Sequence, residues 1–254
     1  MKHLIIVLIL IGLITACDQP TKVKEKDSQS SKTTGVKKKS TPETSATTMR
    51  LPEPGMPIID PSFTNPTEKD IRQMAMQLYN DGVDSYKNGK IDDALDQFKV
   101  SIENYPENAQ AYHYLGRIYF EKGQKGLSIS YYKDAVRYDA RDSVSILAIG
   151  QVYFDMGDGA KAFDYYNQAI EMAPNFALAY YNRGTLLGMQ KQYNSSLQDL
   201  NKSIEIDPSN GNAFVNRGLA YFYLKEMDKA CENWKQAARM GMDKGMEAVE
   251  LYCK

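Results

Sequence analysis

The chain predicts an all-α solenoid of five antiparallel helix pairs closed by a short C-terminal helix, and three observations carry that expectation. First, Gly82, Gly116, Gly150, Gly184 and Gly218 follow one another at 34-residue intervals. With glycine at about one residue in fifteen, four successive matches arise by chance roughly once in 50,000. Second, twelve residues after each glycine stands a small side chain: Ala94, Ser128, Ala162, Ser196 and Ala230. Four further on comes a large one (Phe98, Tyr132, Tyr166, Leu200, Trp234), and three beyond that a small one again (Ser101, Ala135, Ala169, Ser203, Ala237). Third, Pro106, Pro174 and Pro208 close three of the units, with Ala140 in the equivalent place of a fourth. A period of this length marks one supersecondary unit stacked several times, which makes a long concave surface rather than a deep pocket.

Each unit reads as two helices. Small–large–small at spacings of four and three is one helix face, where small residues let two axes approach and the large one fills the groove beside them. The glycine lies on a preceding helix with its own apolar spacing, as in Tyr112, Leu115 and Tyr119. Turn signals separate the two, such as Lys122-Gly123-Gln124 and Met156-Gly157-Asp158-Gly159. Proline then stops the second helix and opens the connection to the next unit.

These columns resemble the tetratricopeptide repeat. Ala111-Tyr112-His113-Tyr114-Leu115-Gly116-Arg117-Ile118-Tyr119 follows that family's aromatic–Leu-Gly–Tyr core. The resemblance implies a right-handed α-solenoid with repeats at about 75–108, 109–142, 143–176, 177–210 and 211–241, then a capping helix at 242–253. Ser85, Ala140, Arg183 and Arg217 depart from the family pattern.

The N-terminus carries separate signals. Lys2 and His3 precede Leu4 to Ala16, a mostly aliphatic run too short for a permanent bilayer span, and residues 1–16 read as a signal peptide. Ile14-Thr15-Ala16-Cys17 resembles a bacterial lipoprotein box, which implies diacylglyceryl attachment through the sulfur of Cys17 and a membrane contact through that lipid. The expected location is therefore the bacterial cell envelope, with the repeats extracytoplasmic. Asp18 resembles an enteric inner-membrane retention signal; inner and outer membrane both stay open. Residues 17–64, rich in Lys, Ser, Thr and Pro, predict a disordered tether of roughly 40 Å mean span. The repeat domain then occupies 65–254. Asn65-Pro66-Thr67-Glu68 reads as a helix start with Asn65 as the cap, and the first helix is expected over about 66–88.

Cys231 and Cys253 lie ten and twelve residues on either side of the Gly241 turn, so two antiparallel helices would bring them side by side. They are a disulfide pair or two buried thiols; an oxidising compartment favours the pair.

No catalytic constellation presents itself. Once His3 is removed with the signal only His113 remains, and there is no metal-ligand spacing or phosphate-cradling loop. The chain predicts no enzyme, and no cofactor or metal beyond the lipid on Cys17. A formal charge of −1 gives no reason to expect nucleic acid. Trp234 is expected in the core. Arg183 and Arg217, each in an Asn-Arg-Gly context, are expected between helices and paired with a carboxylate such as Asp199.

The family resemblance implies that the second, fifth, sixth, ninth, twelfth and thirteenth positions of each repeat line the concave face. Carried over, these are Tyr79, Asn80 and Val83; then His113, Tyr114, Arg117 and Phe120; Leu147, Gln151 and Phe154; Tyr181, Asn182 and Met189; and Val215, Asn216, Phe222 and Tyr223. Such a lining suits a partner peptide or helix with apolar side chains. The two-carboxylate clamp of chaperone-tail-binding members is absent, since neither Asn182 nor Asn216 has the Lys and Asn that it requires one repeat earlier. The expected role is an envelope interaction scaffold; a peptidoglycan- or glycan-binding module is the alternative. Similar lipoproteins assist pilus secretin assembly, barrel-protein assembly or hydrolase control.

Overall fold

A computed structural model describes residues 66–253, and among them every regular element is an α-helix. Eleven helices follow in order: α1 Glu68–Lys87, α2 Ile91–Asn104, α3 Ala109–Glu121, α4 Lys125–Tyr138, α5 Ser143–Asp155, α6 Gly159–Met172, α7 Ala177–Met189, α8 Tyr193–Ile206, α9 Gly211–Tyr223, α10 Met227–Arg239 and α11 Asp243–Tyr252. They pack in sequential pairs, α1 on α2 through α9 on α10, and each second helix also packs on the first helix of the next pair. Helix α11 closes the stack against α10. This is the helix-pair repeat solenoid that the period predicts. The signal segment, the tether and Cys17 lie outside the described residues.

The 34-residue columns have a steric cause. A Cβ on Gly116 would come within 2.7 Å of the Tyr132 ring, one on Gly150 within 2.7 Å of Tyr166, and one on Gly218 within 2.5 Å of the Trp234 indole. The large residue of each second helix thus seats on the bare backbone of its own first helix. Phe98, Tyr132, Tyr166, Leu200 and Trp234 are all buried. Where the first small column carries serine, the hydroxyl satisfies a helix carbonyl: Ser128 Oγ donates to Gly116 O and Ser196 Oγ to Gly184 O, both at 2.7 Å. Trp234 is core, as expected, and its Nε1–H donates to Val215 O at 3.2 Å.

Helix starts follow local chemistry. Asn108, Asp142 and Asn210 cap α3, α5 and α9 by accepting the backbone N–H three residues on. The cap of α1 is Thr67, not Asn65: the Thr67 hydroxyl accepts from Asp70 N while the Asp70 carboxylate accepts from Thr67 N at 2.9 Å. This reciprocal box satisfies two orphan donors where a cap at Asn65 would leave Thr67 inside the helix. Helix α1 is nonetheless long, 20 residues against 13 for the other first helices. Each pair turns through a left-handed residue, glycine at 89, 123 and 157 but Lys191 and Lys225 in the same column of the last two repeats.

Candidate interaction surface

The first helices α3, α5, α7 and α9 also meet one another along the stack. Two side-chain bridges join them: His113 Nδ1 lies 2.7 Å from Ser145 Oγ, and Asn216 Nδ2 donates to Thr185 Oγ1 at 2.9 Å and to the Tyr181 hydroxyl at 3.4 Å. Burial among Tyr132 and its neighbours pushes the His113 pKa down, so the ring is neutral in the folded chain. His113, Tyr181 and Asn216 therefore hold successive repeats in register, which leaves less of each for a partner.

The expected lining divides into three sets. Leu147 and Val215 are only 4 % and 5 % exposed and sit in core clusters, Leu147 with Tyr166 and Val215 with Phe214, so their assignment to a partner surface is corrected. The fifth position of these repeats turns into the seam between helices, where an aliphatic side chain gains more by leaving water. A second set packs on its own neighbours while keeping an open edge. Tyr114 stacks on Phe98 with centroids 5.0 Å apart and meets Tyr79 and Tyr86 edge-on; Val83, Phe120 and Phe154 are half-buried, and Phe222 leans on Trp234 and Tyr252. Arg117 lies over the Tyr86 ring at 5.1 Å and pairs with Glu121, which also accepts from the Tyr86 hydroxyl. Burial, reinforced by that carboxylate, drives the Tyr86 phenol well above its ordinary value. The third set is open to solvent: Asn80, Met189 and Tyr223 are exposed, and Gln151 and Asn182 partly so.

Two exposed apolar residues escaped the sequence reading. Val144 and Leu178, 51 % and 46 % exposed, occupy the second position of the third and fourth repeats. They could have been found by carrying the second-position rule into those repeats. With Met189 and Tyr223 they place uncovered apolar surface on α5, α7 and α9.

Arg183 behaves as expected. Its Nε and Nη2 form a fork on the two Asp199 carboxylate oxygens, each at 2.7 Å, while Nη1 donates to Asn167 Oδ1 at 2.6 Å. Hydrogen bonding to Asp199 raises its pKa further. Arg217 departs from the expectation. Its partners are amide oxygens, Asn233 Oδ1 at 2.7 Å from Nε and Asn201 Oδ1 at 2.8 Å from Nη1. Residue 233 stands one period after Asp199 and is an amide rather than an acid.

The Sγ atoms of Cys231 and Cys253 are bonded at 2.06 Å, across Cα atoms 5.5 Å apart. The link ties α11 to α10 beside Tyr252, which packs on Phe222 and Trp234. Among the described residues no helix is long and apolar enough to cross a membrane, and no group of three or more His, Cys, Asp or Glu side chains could hold a metal ion.

Family models for tetratricopeptide repeats match residues 79–143, 150–191 and 177–210, and none of these is a catalytic family. No curated protein matches the chain. Among solved structures it is similar to YrrB, described as a TPR protein with an unusual peptide-binding site, at 22% identity over 70% of this chain and 92% of that one, TM-score 0.55. It is similar to the MamA protein at 22% identity over 72% and 96% of the two chains, TM-score 0.56. Pseudomonas aeruginosa pilF aligns at 15% identity over 73% and 94%, TM-score 0.61. At such identities these structures attest the fold. Together with the glycine–aromatic seating, the matches identify tetratricopeptide repeats within residues 79–143 and 150–210.

Proposed function

We propose that this chain is a lipid-anchored interaction scaffold of the bacterial cell envelope, held to a membrane through Cys17 and binding a partner peptide or helix along its first helices. The observation that carries the reading is the exposed apolar set Val144, Leu178, Met189 and Tyr223 on three successive first helices. Isolated exposed apolar residues are ordinary, but a set recurring at the second and thirteenth positions of successive repeats offers apolar anchors of a partner repeated places to lie. YrrB, with its peptide-binding site, has the same fold, which supports a peptide as the occupant. The lipid reading is supported by the Leu4–Cys17 segment and by the tether, which would give the repeats reach above the bilayer.

A photo-crosslinking residue placed at 178 or 189 should capture one partner in cells, whereas the same residue at 127, exposed on a second helix, should not. Equal capture from all three positions would defeat the assignment of this face. Cys17→Ser should abolish fatty-acid labelling and release the protein from membranes; retained label would remove the anchor. Cosedimentation with purified sacculi tests the glycan alternative, which requires binding without any protein partner.

A further inference from the structure

Beside Arg217, on a face of α9 away from the proposed docking residues, lies a cavity of about 480 Å³. Its walls come from Phe214, Arg217 and Tyr221 of α9 and from Lys229, Glu232 and Arg239 of α10. At 100° per residue these α9 positions stand roughly opposite Asn216 and Tyr223.

The cavity is best understood beside its counterpart one repeat earlier. There Arg183, Asn167 and Asp199 form a closed set: the carboxylate takes both Nε and Nη2, and the amide oxygen takes Nη1. The equivalent set is Arg217, Asn201 and Asn233, each one period on. The amide of Asn233 has a single acceptor oxygen, bonded to Nε, and its Nδ2 donates to Lys229 O at 2.8 Å. Among the described residues Nη2 of Arg217 has no hydrogen-bond partner, and no carboxylate lies within ion-pair distance of the guanidinium. Without one, burial lowers the Arg217 pKa, whereas Asp199 raises that of Arg183.

The remaining charges leave the cavity positive. Lys229 pairs with Glu226 and lies 5.3 Å over the Tyr221 ring, while among the described residues Arg239 donates only to the neutral Gln236 Oε1, at 2.6 and 3.1 Å. Glu232 is the acid in the wall; it offsets one of the two cations without a carboxylate partner and disfavours a dianion. The Phe214 ring, 5.1 Å beneath the guanidinium, and Tyr221 supply apolar surface next to the charge.

We infer that this cavity is a second binding site, taking a ligand carboxylate flanked by an apolar group, and that the ligand completes at Arg217 the ion pair which Asp199 completes at Arg183. A planar carboxylate can meet the unpartnered Nη2 and the second hydrogen of Nη1 in two parallel hydrogen bonds, while the adjoining apolar group lies against Phe214 and Tyr221. A peptide C-terminus with a bulky last residue and an acidic side chain beside an apolar one present the same chemistry. The site is independent of the docking face.

The test follows the Arg217 Nε–H resonance of the isotope-labelled full-length chain. N-acetylphenylalanine represents the terminal carboxylate, and N-acetyl-Phe-Glu-amide the side-chain carboxylate. At least one should shift the resonance saturably, and the arm that binds more tightly names the source. N-acetylphenylalaninamide, which lacks the charge, should leave it unmoved. Asn233→Asp should weaken binding at least tenfold by supplying an internal carboxylate, with the helical circular dichroism unchanged. Arg217→Gln, followed by calorimetry, should lose binding to the same degree. The inference is overturned if both carboxylate probes fail to saturate, if the amide binds equally, if inorganic phosphate binds more tightly than either, or if Asn233→Asp binds as the parent does.

Discussion

Substituting alanine at Gly116 and, separately, at Gly126 asks whether the repeat period records backbone approach or helix propensity. At Gly116 the new Cβ would stand 2.7, 2.8 and 2.9 Å from three atoms of the Tyr132 ring. Ordinary contact begins near 3.4 Å, so the ring must retreat by about 0.7 Å. Tyr132 is buried against Ile149, Val152 and His113 and has no vacant side to move into. Overpacking of this kind costs about 1–3 kcal/mol, against which alanine returns about 0.5–1 kcal/mol of helix preference. The net is a loss of about 1–2 kcal/mol. Gly126 lies in the first turn of α4 with nothing within 4 Å of the added atom, and there alanine should stabilise by about 0.4–1 kcal/mol. With a urea slope of about 3 kcal/mol/M, the unfolding midpoints of the two variants should differ by about 0.5–1 M, with the parent between them. Because solenoids unfold repeat by repeat, amide exchange in α3 and α4 should report the same order locally. A Gly116→Ala midpoint at or above that of Gly126→Ala would refute the close-approach argument.

Other outcomes follow from the same geometry. Asp199→Asn leaves Arg183 with amide partners only, as at Arg217; with both side chains largely out of water, the loss should be about 1–2 kcal/mol by urea denaturation, and no loss would show the fork to be dispensable. His113 is held neutral in the fold, so its folded pKa lies below the ordinary value of 6.5 and the unfolded chain takes up the proton first. Its contribution is therefore complete above about pH 6.5 and is lost as pH falls toward the lower folded value, so the Tm gap between the parent and His113→Asn should narrow from about pH 7.5 to 5; a constant gap would exclude this linkage. Reducing the Cys231–Cys253 bond should cost about 3 kcal/mol and speed amide exchange in α11 while α4 is unaffected; unchanged exchange in α11 would mean that Tyr252 packing alone holds the helix.

Much of the architecture was open to a linear reading because its determinants are local. Gly116 and Tyr132 are 16 residues apart in one unit, and a glycine followed at that spacing by a large apolar or aromatic side chain recurs in every period. A contact that short in sequence and that often repeated leaves a column, and columns can be read without coordinates. The Arg183–Asp199 pairing was legible for the same reason. Which of the expected lining residues face water was legible only in part. The register located Met189 and Tyr223, yet it placed Leu147 and Val215 at the surface, because the angle at which neighbouring repeats meet decides whether a fifth-position aliphatic faces water or the seam. The start of α1 was displaced for a smaller cause: Asn65 and Thr67 are both good caps, and the side chain of Asp70 settles the competition in favour of Thr67.

The linear order of residues thus determined the helix pairs, their number and their stacking, since each pair is built from contacts within 34 residues. Tertiary structure decided which charges are satisfied and which apolar side chains are covered. Arg183 and Arg217 share one local context, but a guanidinium held between three helices takes the partners that all three present, and only one of the two meets an acid. The acid or amide at 199 and 233 is written in the sequence, but only the packing shows that no other carboxylate reaches Arg217, and this separates a structural ion pair from an open cationic cavity.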